Sequence, residues 1–262
     1  MLSCSTRVVG EREIYVGNKE NNLKLGTLYL IPVMLGDDNI SALLPKSLPP
    51  DVIAIAQNLE NFVVESEKSA RQFLSAIKTA KPVRELSLNL LNEHTADKDV
   101  AALLSPLLAG KDVGLMSDAG CPGIADPGAK LVALAHQKGI KVVPFVGPSS
   151  ILLALMASGL NGQQFAFLGY LPVDKQARNV KLKEIEKRSQ THNETQIFIE
   201  TPYRNQHMLE AILSVCQPNT RLCIASQVSL PDEFIATKTV NQWKQSALPD
   251  LNKKPTVFLL LA

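Results

Sequence analysis

The chain has 262 residues, 45% of them hydrophobic, and its 27 Lys and Arg against 25 Asp and Glu give a formal net charge of +2. That much apolar side chain fills the core of one large or two medium α/β domains. The near-balanced charge excludes a polyelectrolyte binder, so any nucleic-acid contact has to come from a local patch.

No run of about 18 apolar residues is present, so no membrane-spanning helix is expected. Arg7, Glu11, Arg12 and Glu13 among the first residues speak against a signal peptide. Cys4, Cys121, Cys216 and Cys223 form no C-x-x-C pair, so neither a zinc site nor a disulfide framework is indicated. Each reads as a small buried or neutral side chain in a reducing, cytoplasmic setting.

In chain order, residues 1–25 read as a weakly ordered extension. Gly26 to Pro32 is the first convincing strand, and Val33 to Asp38 is its C-terminal loop. Val52 to Leu59 fits helix or strand. Phe62 to Glu65 is a short strand with Glu65 at its end. Ser69 to Ile77 has helical spacing in Phe73, Leu74 and Ile77. Leu86 to Leu91 is a strand followed by the loop Asn92–Thr95, and Asp97 to Ala109 reads as one helix.

The next stretch carries the strongest local signals. Val113 to Met116 is a buried strand, Ser117 to Ala125 a tight loop with two Gly and a Pro, and Asp126-Pro127 a helix start. Gly139 stands where a left-handed cap would end that helix, and Ile140 to Val146 is the next strand. Strand, loop, helix and strand in this order make a parallel sheet, whose ligands bind at the carboxyl ends of the strands. Those ends are Ser117–Gly123 and Gly147–Ser150. The loop is neither G-x-G-x-x-G nor a Walker A sequence, and its small residues would let a ligand approach the backbone.

Further on, Ile151 to Ser158 is an apolar helix stopped by Gly159, and Phe165 to Tyr170 is a strand. Residues 174–188 hold six basic and three acidic side chains. Gln196 to Glu200 is a strand, Thr201-Pro202 a helix start, and Leu222–Ser226, Phe234–Val240 and Thr256–Leu261 are strands. A strand pair without an intervening helix predicts a mixed sheet in this half. The expected division is an extension over 1–25, a first α/β domain over 26–146 and a second over 147–262. Trp243 is expected to pack inside the second.

Taken together and in order, Leu28-Tyr29-Leu30-Ile31-Pro32, Ser117-Asp118-Ala119-Gly120-Cys121-Pro122, Asp126-Pro127-Gly128, Val142-Val143-Pro144, Gly147-Pro148-Ser149-Ser150 and Phe198-Ile199-Glu200-Thr201 resemble the tetrapyrrole methylase superfamily. Within it, the chain is most similar to the 16S rRNA (cytidine-2′-O)-methyltransferase branch, over about residues 26–262. The resemblance implies two α/β domains with S-adenosylmethionine (SAM) in the cleft between them, and a homodimer. It places the cofactor at Leu35 and Asp37, at Asp118, Ala119, Gly120 and Cys121, at Ser149 and Ser150, at Glu200, and at Ala225, Pro255 and Thr256 on the adenine side. No metal is required.

Glu65 matches a Glu of the rRNA enzyme's A-E-D-T-R stretch, although Ser66-Glu67-Lys68 replaces the residues after it. His94 matches a His of its H-D-H-N loop. Both are candidates to orient or deprotonate a ribose 2′-hydroxyl. Lys175, Arg178 and Lys181 are the candidate contacts to RNA or a ribosomal subunit. A SAM-dependent methyltransferase with an rRNA acceptor is therefore expected. The alternatives are a tetrapyrrole or other small-molecule acceptor, and a catalytically idle SAM-binding protein.

Overall fold

Ten strands divide between two five-stranded sheets in the computed structural model, which describes residues 24–36 and 40–262. The first sheet holds β1 (Thr27–Leu30), β2 (Asn61–Val64), β3 (Ser87–Leu90), β4 (Val113–Met116) and β5 (Lys141–Pro144) in the order β3-β2-β4-β1-β5. Every pairing in it is parallel. The second holds β6 (Phe165–Tyr170), β7 (Thr195–Ile199), β8 (Arg221–Ser226), β9 (Phe234–Thr239) and β10 (Thr256–Leu261) in the order β6-β7-β10-β8-β9. There only β6 and β7 run parallel; the other pairs are antiparallel. The expected α/β class, with a parallel sheet followed by a mixed one, is what forms.

Both faces of the first sheet are covered, which is why its strands read as apolar runs. Phe62 and Val64 pack with Ala56, Phe73 and Leu74 on one face, while Val63 turns to Leu104, Leu107 and Leu131 on the other. In the second sheet Phe198, Ile224 and Phe258 meet Leu182, Leu209 and Trp243. Trp243 is buried, as expected, and its indole N–H donates to the Leu222 carbonyl at 2.9 Å. The opposite face, with Cys223, Ala225, Val257 and Leu259, packs on Ala154 and Leu155 and on Leu35 from the first half.

Some elements differ from the sequence reading. Residues 50–58 are a helix, started by Pro50 at its first position, where the missing N–H costs nothing. The expected helix over 97–109 is broken into Asp97–Val100, a tighter turn Ala101–Leu104, and Ser105–Leu108, because Pro106 cannot continue the helical hydrogen bonds. The helix expected at Thr201 starts at Asn205. The Arg204 N–H instead closes a turn on the Thr201 carbonyl at 2.8 Å. Among the described residues no helix is long and apolar enough to cross a membrane. Cys4, Asp37 and most of the 1–25 extension lie outside the described residues.

Candidate functional site

Parallel strands release all their outgoing loops at one edge, and the strand order decides which loops become neighbours. Reading β2-β4-β1-β5 across the sheet sets Glu65, Ser117–Cys121, Val33–Leu35 and Gly147–Ser150 side by side. Backbone bonds then fasten them. The Val33 N–H donates to the Gly120 carbonyl at 2.9 Å, and the Cys121 thiol donates to the Pro148 carbonyl at 3.3 Å.

The glycines follow from this crowding. A Cβ on Gly147 would lie 2.2 Å from Pro32 Cβ. Gly120 has φ +74, and a Cβ there would meet Pro148 O at 3.2 Å and Leu35 Cδ2 at 3.3 Å. Asp126 shapes the far side of the loop by accepting from Gly123 N at 2.8 Å and Gly128 N at 2.7 Å. Its carboxylate thus serves the first turn of the helix Gly128–Gln137, as expected, and Gly139 closes that helix at φ +69.

These loops wall a cavity of about 350 Å³, within the usual range of small-molecule sites. Its other wall is the second sheet. The strand-end row Tyr170, Ile199-Glu200, Thr256-Val257 and Ala225 faces the loops of the first sheet. Leu35, Asp118, Ala119, Gly120, Cys121, Ser149, Ser150, Glu200, Ala225 and Pro255 all line it, and so does Glu65. Thr256, expected beside Pro255, lines it as well, and Phe167, Tyr170, Gln227 and Val228 line it without having been singled out as site residues in the sequence. Phe167 and Tyr170 come from β6, Gln227 and Val228 follow β8, and Thr256 begins the antiparallel β10, and no local motif marks that convergence.

Ser149 caps the helix Ser150–Ser158, its hydroxyl accepting from Leu152 N at 3.5 Å. Glu65 Oε2 accepts from the Asp118 N–H at 3.1 Å. Burial pushes its carboxyl above the ordinary glutamate range. The Asp118 N–H counters part of that rise, and the carboxylates of Asp118, Asp126 and Glu93 add to it. Burial likewise raises the Cys121 thiol, which keeps it protonated and donating.

Glu200 differs: its side chain is fully buried, and Oε1 accepts from Thr201 N at 2.7 Å and from Arg204 Nε and Nη2 at 3.0 and 2.6 Å. Its other oxygen has no partner among the described residues.

Other expected site residues fall elsewhere. His94 is on the loop after β3 at the same sheet edge but outside the cavity lining, with its side chain 84% exposed and Nε2 3.5 Å from Glu93 Oε1. In the basic helix Lys175–His192, Lys175 is exposed and Lys181 is paired with Glu184 at 2.8 Å. Arg178 is not a surface cation: it is buried, with Nη1 donating to the Val173 carbonyl at 3.3 Å. Its place one turn into the helix points it at the preceding loop. Cys216 and Cys223 are buried, and burial with Glu186 nearby pushes Cys216 up to about 12, so neither is reactive. Among the described residues no cluster of three or more His, Cys, Asp or Glu could hold a metal ion.

A sequence profile described as Tetrapyrrole (Corrin/Porphyrin) Methylases matches residues 35–243. "Ribosomal RNA small subunit methyltransferase I" of Vibrio cholerae is 32% identical over 234 residues, which is 89% of this chain and 76% of that protein. The protein of that name from Pasteurella multocida is 29% identical over 241 residues, 92% of this chain and 80% of that one. Among solved structures, the methyltransferase CobJ superposes with a TM-score of 0.58 at 18% identity, covering 90% of this chain and 94% of its own. Cobalt precorrin-4 methyltransferase gives 0.55 at 15%, with the same coverage. At such identities these structures establish the fold alone. The profile spans most of the chain and both walls of the cavity; the chain belongs to the tetrapyrrole (corrin/porphyrin) methylase family and is a methyltransferase.

Proposed function

We propose that the chain transfers a methyl group from SAM to RNA of the small ribosomal subunit, at a ribose 2′-hydroxyl. The observation that carries this is the convergence of the cofactor residues expected from the sequence, Asp37 apart, on one cavity beside a carboxyl poised as a base. The rRNA acceptor is supported by the names of the relatives, which match over most of both chains.

The residues fit the donor. Gly120 lets the Pro148 carbonyl and Leu35 close up against the loop, and Leu35, Ala119 and Ala225 give small or apolar surface for the adenosine. Ser149, Ser150 and the first N–H groups of their helix suit a carboxylate head group. Asp118 and Glu65 suit the cation, and Pro255 and Glu200 complete the adenine side. SAM supplies a methyl carbon already activated by its positive sulfur, which departs as a neutral thioether. The protein therefore has to align the acceptor oxygen, exclude water and take one proton. Glu65 takes that proton from the hydroxyl, and its raised affinity for protons suits the task. His94, on the adjoining loop, orients the acceptor at the mouth. Lys175 and Lys181 contribute phosphate attraction from the basic helix. Division near residue 146, a homodimer and a cytoplasmic setting complete the proposal.

The test is transfer from labelled SAM to small ribosomal subunits, total RNA and porphyrinoids, followed by alkaline hydrolysis of the RNA. Label in an alkali-resistant dinucleotide from the small subunit is the expected result. Label in porphyrinoids and none in RNA would move the acceptor to a small molecule.

A further inference from the structure

Besides Tyr29, which stacks on Phe145, the described residues hold two tyrosines, Tyr170 and Tyr203. Both are exposed, at 60% and 72%, and both stand at one end of the second sheet. Tyr170 ends β6, lines the cavity and pairs across to Ile199. Tyr203 sits in the turn that follows Ile199 and Glu200, directly after the cavity-lining Pro202.

Two cations belong to the same turn and the loop bonded to it. Arg204 is anchored by two N–H groups on the buried Glu200 carboxylate, yet its own side chain stays 33% exposed. The Lys253 N–H donates to the Pro202 carbonyl at 3.1 Å, which draws the loop before β10 onto the same turn, and Lys253 is exposed. Lys254, next in the chain, is occupied by Asp250 at 3.5 Å.

We infer that Tyr170, Tyr203, Arg204 and Lys253 form a rim that seats a single-stranded RNA segment at the cavity mouth, the tyrosines stacking on unpaired bases and the cations meeting phosphates. Exposed rings with interleaved cations fit single strands, because every unpaired base offers a face to stack on and a duplex hides it. This rests on the methyltransferase reading above and adds the RNA form and a contact surface distinct from the basic helix.

The test is fluorescence anisotropy of a labelled single-stranded RNA with the full chain, with S-adenosylhomocysteine (SAH) present and across a salt series. Tyr203→Ala and Tyr170→Ala should each weaken binding by about five- to hundredfold. Tyr203→Phe should bind as wild type, whereas Tyr203→Leu should bind like the alanine variant, because a merely apolar packing role would be met by Leu. Lys253→Glu should weaken binding and lower the salt slope by about one. Tyr203→Ala and Lys253→Glu should keep wild-type SAH affinity by calorimetry, and duplex RNA binding should not respond to either tyrosine. Wild-type binding by both alanine variants, equal loss of duplex binding, or no binding of single-stranded RNA by the wild type would overturn the inference. If the wild type still methylates small subunits in those cases, the enzymatic reading stands; if it does not, that reading fails as well.

Discussion

The two walls of the cavity are built by opposite logics, and their strand-end glutamates show it. Glu65 directly follows β2 of the all-parallel sheet, holds one backbone N–H, and stays partly open with its proton affinity raised. Glu200 directly follows β7 in the mixed sheet, has a fully buried side chain, and has one oxygen saturated by Thr201 and Arg204. The first wall therefore offers a group free to change its proton. The second offers a rigid frame that places other side chains.

The largest separation between the walls is expected in turnover. Glu65→Gln should lower methyl transfer about 10²- to 10⁴-fold, the usual range for loss of a general base, while SAH binding survives. Wild-type rates should rise with pH through an inflection above the ordinary glutamate value, and this limb should vanish in Glu65→Gln. Stability has the opposite sign. A carboxyl whose folded pKa lies above its unfolded one favours folding while protonated and loses that contribution as pH rises, so Glu65→Gln should melt no lower than wild type at neutral pH. A lower melting point with unchanged turnover would reverse the roles assigned to the two glutamates.

Next comes the frame. Arg204→Ala leaves the buried Glu200 carboxylate without its cation and should cost about 2–3 kcal/mol by chemical denaturation. Cys121→Ala removes the thiol bond to Pro148 that ties two loops of the first wall, and should cost no more than about 1 kcal/mol. Cys121→Ser, which keeps a donor, should restore it. The smallest effect is assigned to His94→Ala, an exposed residue outside the cavity lining, which should slow transfer by less than about tenfold.

The same contrast explains what was legible in the sequence. In the first half, strand, loop and helix alternate, every functional loop follows its strand, and small residues mark the ligand side. Ser117–Cys121 and Gly147–Ser150 could be placed for that reason. In the second half the direction reverses. Thr256 and Val257 begin a strand and Ala225 nears the end of one, yet they are adjacent. Only the family resemblance reached Ala225, Pro255 and Thr256. Arg178 misled because composition counts a cation without showing where its stem lies. The broken helix at Pro106 and the late start at Asn205 turned on local bonds that a periodic reading averages out.

The central claim is that the donor lies between these walls. Ala119 is exposed within the cavity lining, so a large side chain there fills the site without entering either core. It is a better probe than Gly120, where φ +74 and the nearby Pro148 carbonyl would strain any side chain. Calorimetric titration of SAH into wild type and Ala119→Phe, with thermal melts of both, is the most direct measurement. One-site binding by the wild type, and none by an Ala119→Phe protein that melts as the wild type does, is the predicted result. Undiminished binding in the folded variant would contradict the placement.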